Sequence, residues 1–228
     1  MRSFSRFLAV CVLSLGVGLA QAAGLEGVSN ADASAGLKEA LVKGADFAVG
    51  SLGVKDGFLG NKKVRIPLPD SLKTAEKAMR VFGMQAQADE LVESMNRAAE
   101  LAVAEARPIL MDAIRKMTVK DAKDILTGGD DSVTQYFRRT TDKPLTARFL
   151  PIVKQATAKV KLAEQYNNYA GKAAQLGLVD KKDANLDNYV TAKALDGLYL
   201  IIGEQEKALR QNPLGAGSDL LKKVFGAL

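Results

Sequence analysis

The sequence predicts an all-α fold, a single domain whose helices form a bundle around a buried apolar helix at about residues 186–210. Apolar residues recur every three or four positions along most of the chain, which is the spacing of helices that are buried on one side. Capping residues and Gly or Pro stops separate these stretches. Alternation of polar and apolar residues never extends beyond a few positions, so no strand is predicted.

Residues 1–23 are predicted to be a secretory signal peptide. A basic start precedes an apolar run, and the sequence AQA that ends at Ala22 has the A-x-A form that signal peptidase accepts. We expect cleavage after Ala22 or Ala23 and one mature helical domain over residues 24–228. The apolar run is shorter than the ~20 residues of a membrane span, so we expect no transmembrane segment after cleavage.

The first half of the mature domain should contain five helices. A Gly-rich loop at 53–61 and two prolines at 67–69 interrupt them, and each proline forces the residue before it into an extended backbone. Thr118 with Asp121 resembles a capping box before the fifth helix. The five predicted helices cover 32–52, 72–82, a stretch from about 85 to the proline at 108, 109–117 and 119–126.

The second half should begin with a short helix that Ser132 caps, after a Gly-Gly stop. Asp142 as N-cap and Pro144 in the first turn predict a separate second helix, which bends at Pro151 and ends near residue 176. The most apolar helix follows at about 186–210. A last helix, capped by Ser218, should pack on the core through Leu220, Leu221, Val224 and Phe225.

Composition excludes several functions. Without the two arginines of the leader, the chain has 30 basic and 26 acidic residues, and this net charge of +4 is too mild for a nucleic-acid-binding protein. The sequence contains no His, and its one cysteine, Cys11, lies in the leader. Nucleophile systems that need His, and metal sites built from His or Cys, are therefore excluded from the mature chain. We expect no cofactor and no metal.

Five sequence blocks together resemble one known family. They are IPLPDSLKTAEKAMRVFG, ILTGGDDSVTQYFRRTT, LTARFLPIV, NYVTAKALDGLYLIIGEQEKALRQNP and DLLKKVFG. This set resembles the bacterial family catalogued as domain of unknown function 4197, over about residues 27–226. The resemblance implies a single-domain exported protein of a Gram-negative bacterium, located in the periplasm. It implies no activity and no functional residue.

The densest basic and aromatic stretch is a candidate binding site. Residues 130–161 contain seven basic and three acidic residues. Arginine presents a planar donor fork that suits carboxylate or phosphate. One interpretation is a site for an anionic small molecule, a lipid headgroup or an envelope protein. Its residues would be Tyr136, Arg138, Arg139, Lys143 and Arg148.

The alternative interpretation of the same stretch is an internal network of ion pairs. Arg138 would reach Asp142 one turn along its helix, and Arg148 would hold the Gly-Gly loop through Asp130 or Asp131. Helix surfaces favour such pairs, so this interpretation is the preferred one.

Two other kinds of site have weaker patterns. Asp183, Asn185 and Asp187 start like a calcium loop, but the turn glycine and the bidentate glutamate are missing, so helix capping is preferred. A carboxylate-based enzyme would need two acids that face each other across a cleft. A Ser-Lys dyad is also open, and the glycine runs do not form a P-loop. The acids considered for catalysis are Glu100, Glu105, Asp121, Asp124, Glu204 and Glu206.

We therefore expect a periplasmic binding or interaction module, for an anionic or amphiphilic ligand or an envelope partner, rather than an enzyme. A carboxylate-based periplasmic hydrolase is the first alternative, and it predicts a cleft with a carboxylate of raised pKa. A structural envelope protein is the second, and it predicts a large exposed apolar patch.

Overall fold

The computed structural model describes residues 29–83, 85–175 and 184–212. The predicted signal peptide, its predicted cleavage site and the helix predicted after Ser218 lie outside these ranges. Within them the chain forms eight helices and no strand, which confirms the all-α prediction. The helices are α1 (Asn30–Leu52), α2 (Asp70–Val81), α3 (Gln85–Ala104), α4 (Arg107–Lys116), α5 (Val119–Leu126), α6 (Ser132–Thr157), α7 (Lys161–Gln175) and α8 (Leu186–Gln211).

Local sequence signals place the starts of the first five helices to within two residues. α5 has the predicted capping box, in which the Asp121 backbone N–H donates to the Thr118 hydroxyl at 3.1 Å and the Thr118 N–H donates to the Asp121 carboxylate at 3.1 Å. Pro108 lies in the first turn of α4, where its missing N–H leaves no carbonyl unbonded.

The prediction for residues 132–176 is wrong in two respects. α6 is one helix of 26 residues with Pro144 and Pro151 inside it, and it ends at Thr157; α7 is a separate helix. Each proline removes one backbone hydrogen bond. α6 nevertheless continues, because it buries apolar side chains such as Leu145, Phe149 and Val153 against its neighbours at helical spacing throughout its length.

Helices α3, α6 and α8 pack against one another at the centre of the core. α8 also contacts α1 and α7, so the predicted helix at 186–210 is covered on most sides. One face of α8 is exposed, and it carries Lys193, Asp196 and Leu200.

α6 and α8 run antiparallel, and polar contacts join them at both ends. Near the start of α6, the Val133 backbone N–H donates to the Glu206 carboxylate at 3.0 Å. Near its end, the Thr157 hydroxyl donates to the Asp187 carboxylate at 2.6 Å. All four residues are buried, so these bonds fix how far one helix can slide along the other.

The loop between α1 and α2 ends in an extended segment at residues 64–69. Val64, Ile66 and Leu68 are buried, and the intervening Arg65 and Pro67 are exposed, as in a strand with one covered face. In place of a neighbouring strand, the buried amide of Asn96 on α3 accepts from the Ile66 N–H at 2.8 Å and donates to the Ile66 carbonyl at 2.9 Å.

Two further contacts hold the rest of this loop. One carboxylate oxygen of the buried Glu100 accepts from the backbone N–H groups of Phe58 at 3.0 Å and Leu59 at 3.1 Å. The Phe58 ring lies so close to α8 that a Cβ atom at Gly197 would be 2.7 Å from it. Only glycine fits at that position without displacing the loop.

We predict that Asn96→Leu destabilises the protein by about 2–4 kcal/mol, because it leaves the Ile66 N–H and carbonyl buried without partners. The free energy of unfolding from urea denaturation measures this loss. Asn168→Leu, at an exposed position of α7, is the matched control and should change the free energy by less than about 0.5 kcal/mol. Equal effects of the two substitutions would contradict the role given to Asn96.

Candidate functional site

The three arginines of the predicted site point to three different elements. The Arg138 guanidinium lies 3.2 Å from the Asp196 carboxylate of α8. Arg139 lies 2.8 Å from Asp121 of α5. Arg148 pairs with Glu105, an acid just beyond the end of α3. The structure therefore does not bring these arginines together into one site.

The other two predicted site residues do not complete a cluster either. Tyr136 is buried, its hydroxyl donates to the Ala113 carbonyl at 2.7 Å, and burial raises its pKa. Its ring contacts the Arg139 guanidinium, whose carbon lies 5.7 Å from the ring centre. Lys143 is exposed, and in the part of the chain that the structure describes it has no ion pair. These contacts belong to the packing between helices.

Ion pairs thus account for the arginines, but the predicted partners are wrong. Arg138 pairs with Asp196 and not with Asp142. Arg148 pairs with Glu105 and not with Asp130 or Asp131. The sequence predicts no partner for Arg139, which pairs with Asp121. Each observed pair joins residues from different elements, and helical spacing along one helix carries no signal for such a pair.

The calcium-like stretch is a helix cap in its described part. The Asn185 side chain accepts from the Asn188 N–H at 3.0 Å, so it caps α8 as predicted. Asp187 binds Thr157, and Asp183 lies outside the described residues. Among the residues described, no group of three or more acidic, His or Cys side chains could hold a metal ion.

The six acids considered for catalysis all have other partners. Glu100 and Glu206 bind backbone N–H groups. The remaining four are paired with cations: Glu105 with Arg148, Asp121 with Arg139, Asp124 with Lys120 and Glu204 with Lys63. The contacts of the described residues give none of them a second carboxylate as a partner.

An apolar pocket of about 260 Å³, which the sequence did not indicate, opens between α1, α6 and α8. Three helices that are distant in sequence form it, so no local pattern marks it. Gly44 is the residue whose small size leaves room on the α1 side. The lining side chains are Leu37, Ala40, Leu41, Lys43 and Phe47 from α1, Val133 and Phe137 from α6, and Ile202, Gln205, Glu206 and Leu209 from α8.

Glu206 is the acidic residue of the pocket wall, and it caps α6 from α8. Its two carboxylate oxygens accept from the backbone N–H groups of Val133 at 3.0 Å and Thr134 at 3.3 Å. The residue before α6, Asp131, makes no side-chain capping bond, so the carboxylate from α8 replaces it. Ser132 is not the cap that the sequence predicts, because its hydroxyl donates to the Ile125 carbonyl at 2.8 Å.

Burial raises the pKa of Glu206, and the hydrogen bonds from Val133 and Arg210 oppose this effect. The Arg210 guanidinium lies 3.1 Å from the Glu206 carboxylate, and its side chain is 13% exposed. It also donates to the Ile125 carbonyl at 2.9 Å, so it links α8, α6 and the end of α5. Both residues of this pair lie on α8, and among the described residues it is the most deeply buried ion pair.

A family model described as "Protein of unknown function (DUF4197)" matches residues 27–226. The chain belongs to this family. The match covers nearly the whole sequence and confirms the resemblance of the five blocks. Comparisons with curated proteins and with solved structures give no match. None of the helices described in this DUF4197 chain is both long enough and apolar enough to cross a membrane.

We predict that Glu206→Gln changes the pH dependence of stability. Because the pKa of Glu206 is raised in the folded chain, protonation of this residue stabilises the fold. The stabilisation is complete at pH values below the ordinary pKa of 4.5. This contribution disappears as pH rises through the folded pKa, and glutamine lacks it. The unfolding free energy of the wild type minus that of the variant should therefore fall as pH rises from 4.5 towards neutrality. Urea denaturation at several pH values measures it, and a constant or rising difference would refute the prediction.

We also predict that Arg210→Ala destabilises the fold by about 3 kcal/mol, because it leaves a buried carboxylate without its cation. Arg148→Ala removes a pair that is about half exposed and should cost less than about 1 kcal/mol. Chemical denaturation of both variants at neutral pH tests this order. Similar losses in the two variants would show that Arg210 is not a partner on which the packing of α6 depends.

Proposed function

We propose that this DUF4197 chain is a periplasmic binding module for an amphiphilic molecule, whose apolar part enters the pocket between α1, α6 and α8. The observation that carries the proposal is the pocket itself, a concave apolar site with a few polar groups, which is the usual form of a small-molecule site. The predicted signal peptide supports export.

The pocket has the size and lining for a short alkyl chain. An apolar cavity of about 150 Å³ is enough for a benzene-sized molecule, and this pocket is larger, at about 260 Å³. Leu37, Phe137 and Ile202, from the three helices, are almost fully buried and give it rigid apolar walls. Burial of each methylene group would contribute about 0.8 kcal/mol to binding.

Polar residues of the lining supply a place for the head of the molecule. Lys43 pairs with Glu39 at 2.9 Å, and the Lys43 side chain is 52% exposed. Such an exposed pair within one helix is weak, so an anionic head can replace Glu39 as the partner of Lys43. Phe47, which lies on α1 as Lys43 does, is 53% exposed and extends the apolar surface of the pocket.

Binding suits this site better than hydrolysis does. Glu206 is the acidic residue of the lining, and donors from α6 and Arg210 already occupy its oxygens. A hydrolase would need a carboxylate that is available to substrate or water. The structural alternative has less support too, because most of the exposed large apolar residues of the described chain, such as Val119 and Leu200, lie on separate elements. Val81 and Phe82, which follow each other at the end of α2, are the exception.

We predict that Gly44→Leu weakens binding of decanoate at least tenfold, because the new side chain fills the pocket. A Cβ atom at Gly44 would lie 3.7 Å from the Gln205 Cβ, so the substitution begins without a clash. Gly50→Leu is the matched control: it makes the same exchange on α1 at an open position. Isothermal titration calorimetry of wild type and both variants measures the affinities.

A second arm tests the head group. Lys43→Gln should weaken decanoate binding while leaving the binding of octyl glucoside, a neutral amphiphile, unchanged. If the wild type binds neither compound, or if Gly44→Leu and Gly50→Leu bind decanoate equally, the pocket is not an amphiphile site.

A further inference from the structure

The corner between α2 and α3 carries the two most exposed large apolar side chains of the described chain. Val81, the last residue of α2, is 82% exposed, and Phe82, which follows it, is 79% exposed. The other exposed large apolar side chains in the described ranges are 44–61% exposed, and no two of them are neighbours in sequence. Apolar residues that lie together in water are unfavourable, and such patches mark surfaces that contact a membrane or a protein.

This corner projects from the rest of the protein. The residues at positions 81–83 and 85–87 are all exposed. Gly83 has a φ of +75°, the left-handed backbone that ends helices, and it separates α2 from α3. The opposite end of α2 is held by the neighbouring structure, because the Ser71 hydroxyl lies 2.9 Å from the Tyr166 hydroxyl of α7. The end of α2 that carries Val81 and Phe82 is therefore the one that points away from the core.

The corner itself is uncharged, and basic residues precede it. Residues 81–88 contain no charged side chain. The last two charged residues before this stretch, Lys77 and Arg80, are both basic, and Lys77 is exposed. The first acid after the stretch is Asp89. An apolar tip beside basic residues complements a lipid surface, because the acyl region accepts apolar side chains and the lipid phosphates attract cations.

A second protein molecule fits the corner less well than lipid does. A stable protein interface buries about 800 Å² on each partner. One aromatic side chain supplies only about 150–250 Å² of this area, and Val81 adds less than Phe82 does. A projecting corner offers few further side chains to enlarge such an interface. A lipid surface needs no matching shape, so two exposed side chains can insert into it.

We propose that Val81 and Phe82 insert into the interfacial region of a phospholipid membrane and hold the protein reversibly at its surface, with Lys77 against the lipid phosphates. The contact is weak, because a single fatty-acyl chain gives only marginal binding and these two side chains are smaller. It does not involve the apolar pocket between α1, α6 and α8, so each proposal can fail without the other.

A fluorescent reporter tests the insertion directly. The sequence contains no Trp, so one introduced at the corner is the only indole in the protein. Phe82→Trp should emit at shorter wavelength when vesicles of phosphatidylethanolamine and phosphatidylglycerol are added, because its ring leaves water. Val119→Trp, on α5 at a position that is 61% exposed, is the control and should not shift. The protein used is residues 24–228, which contain all eight described helices, because the apolar run of the predicted signal peptide would itself bind vesicles.

Cosedimentation with the same vesicles measures how strongly the protein binds. Val81→Ser combined with Phe82→Ser should lower the partition coefficient at least tenfold, because the apolar area that enters the lipid is lost. Leu101→Ser combined with Val119→Ser removes two exposed apolar side chains from other elements and should leave binding unchanged. All four positions are exposed, so both double variants should stay folded, which their melting temperatures check.

The charge arm uses Lys77→Glu, which should weaken binding to the vesicles that contain phosphatidylglycerol. The proposal is overturned if the wild type does not bind these vesicles, or if the two double variants bind them equally. An emission shift of Phe82→Trp that grows with protein concentration and needs no vesicles would also overturn it, because the corner would then pack against a second copy of the chain.

Discussion

The carboxylate of Glu206 at the start of α6 is the contact on which the arrangement of the long helices depends. The first N–H groups of a helix have no partner within it, and burial makes that lack costly. The first turn of α6 is partly buried, its N-cap residue makes no side-chain capping bond, and Glu206 from α8 supplies the acceptor. Together with Asp187 at the other end, this contact fixes both ends of α6 against α8.

Helix α3 uses the same device on the loop between α1 and α2. Asn96 and Glu100, one turn apart, bind the backbone of Ile66 and of Phe58 with Leu59. Apolar burial drives the helices together without choosing a register. Buried polar bonds with few acceptable geometries do choose one, and in this chain they lie on α3 and α8, two of the three central helices.

The sequence predicts what is decided locally. The capping box of α5 and the Asn185 cap of α8 each involve two residues that are three positions apart, so the sequence predicts both. The full length of α6 could not be predicted, because its two prolines indicate a helix end or a bend more strongly than the apolar spacing indicates that the helix continues. Its packing against α3 and α8 explains why it continues. Likewise, Arg148 and its partner Glu105 are 43 positions apart, and spacing on one helix gives no sign of that pair. The apolar pocket lies between helices that are distant in sequence, so no motif marks it.

The extended segment at 64–69 has a consequence for how copies of the protein meet each other. An exposed, strand-like edge with unpaired backbone groups invites pairing with a second chain and leads to aggregation. Here the Asn96 amide occupies Ile66, and the Tyr189 hydroxyl donates to the Pro67 carbonyl at 3.1 Å. Pro67 and Pro69 have no N–H to offer. A helical protein can therefore keep an extended segment at its surface without providing a template for intermolecular β-sheet.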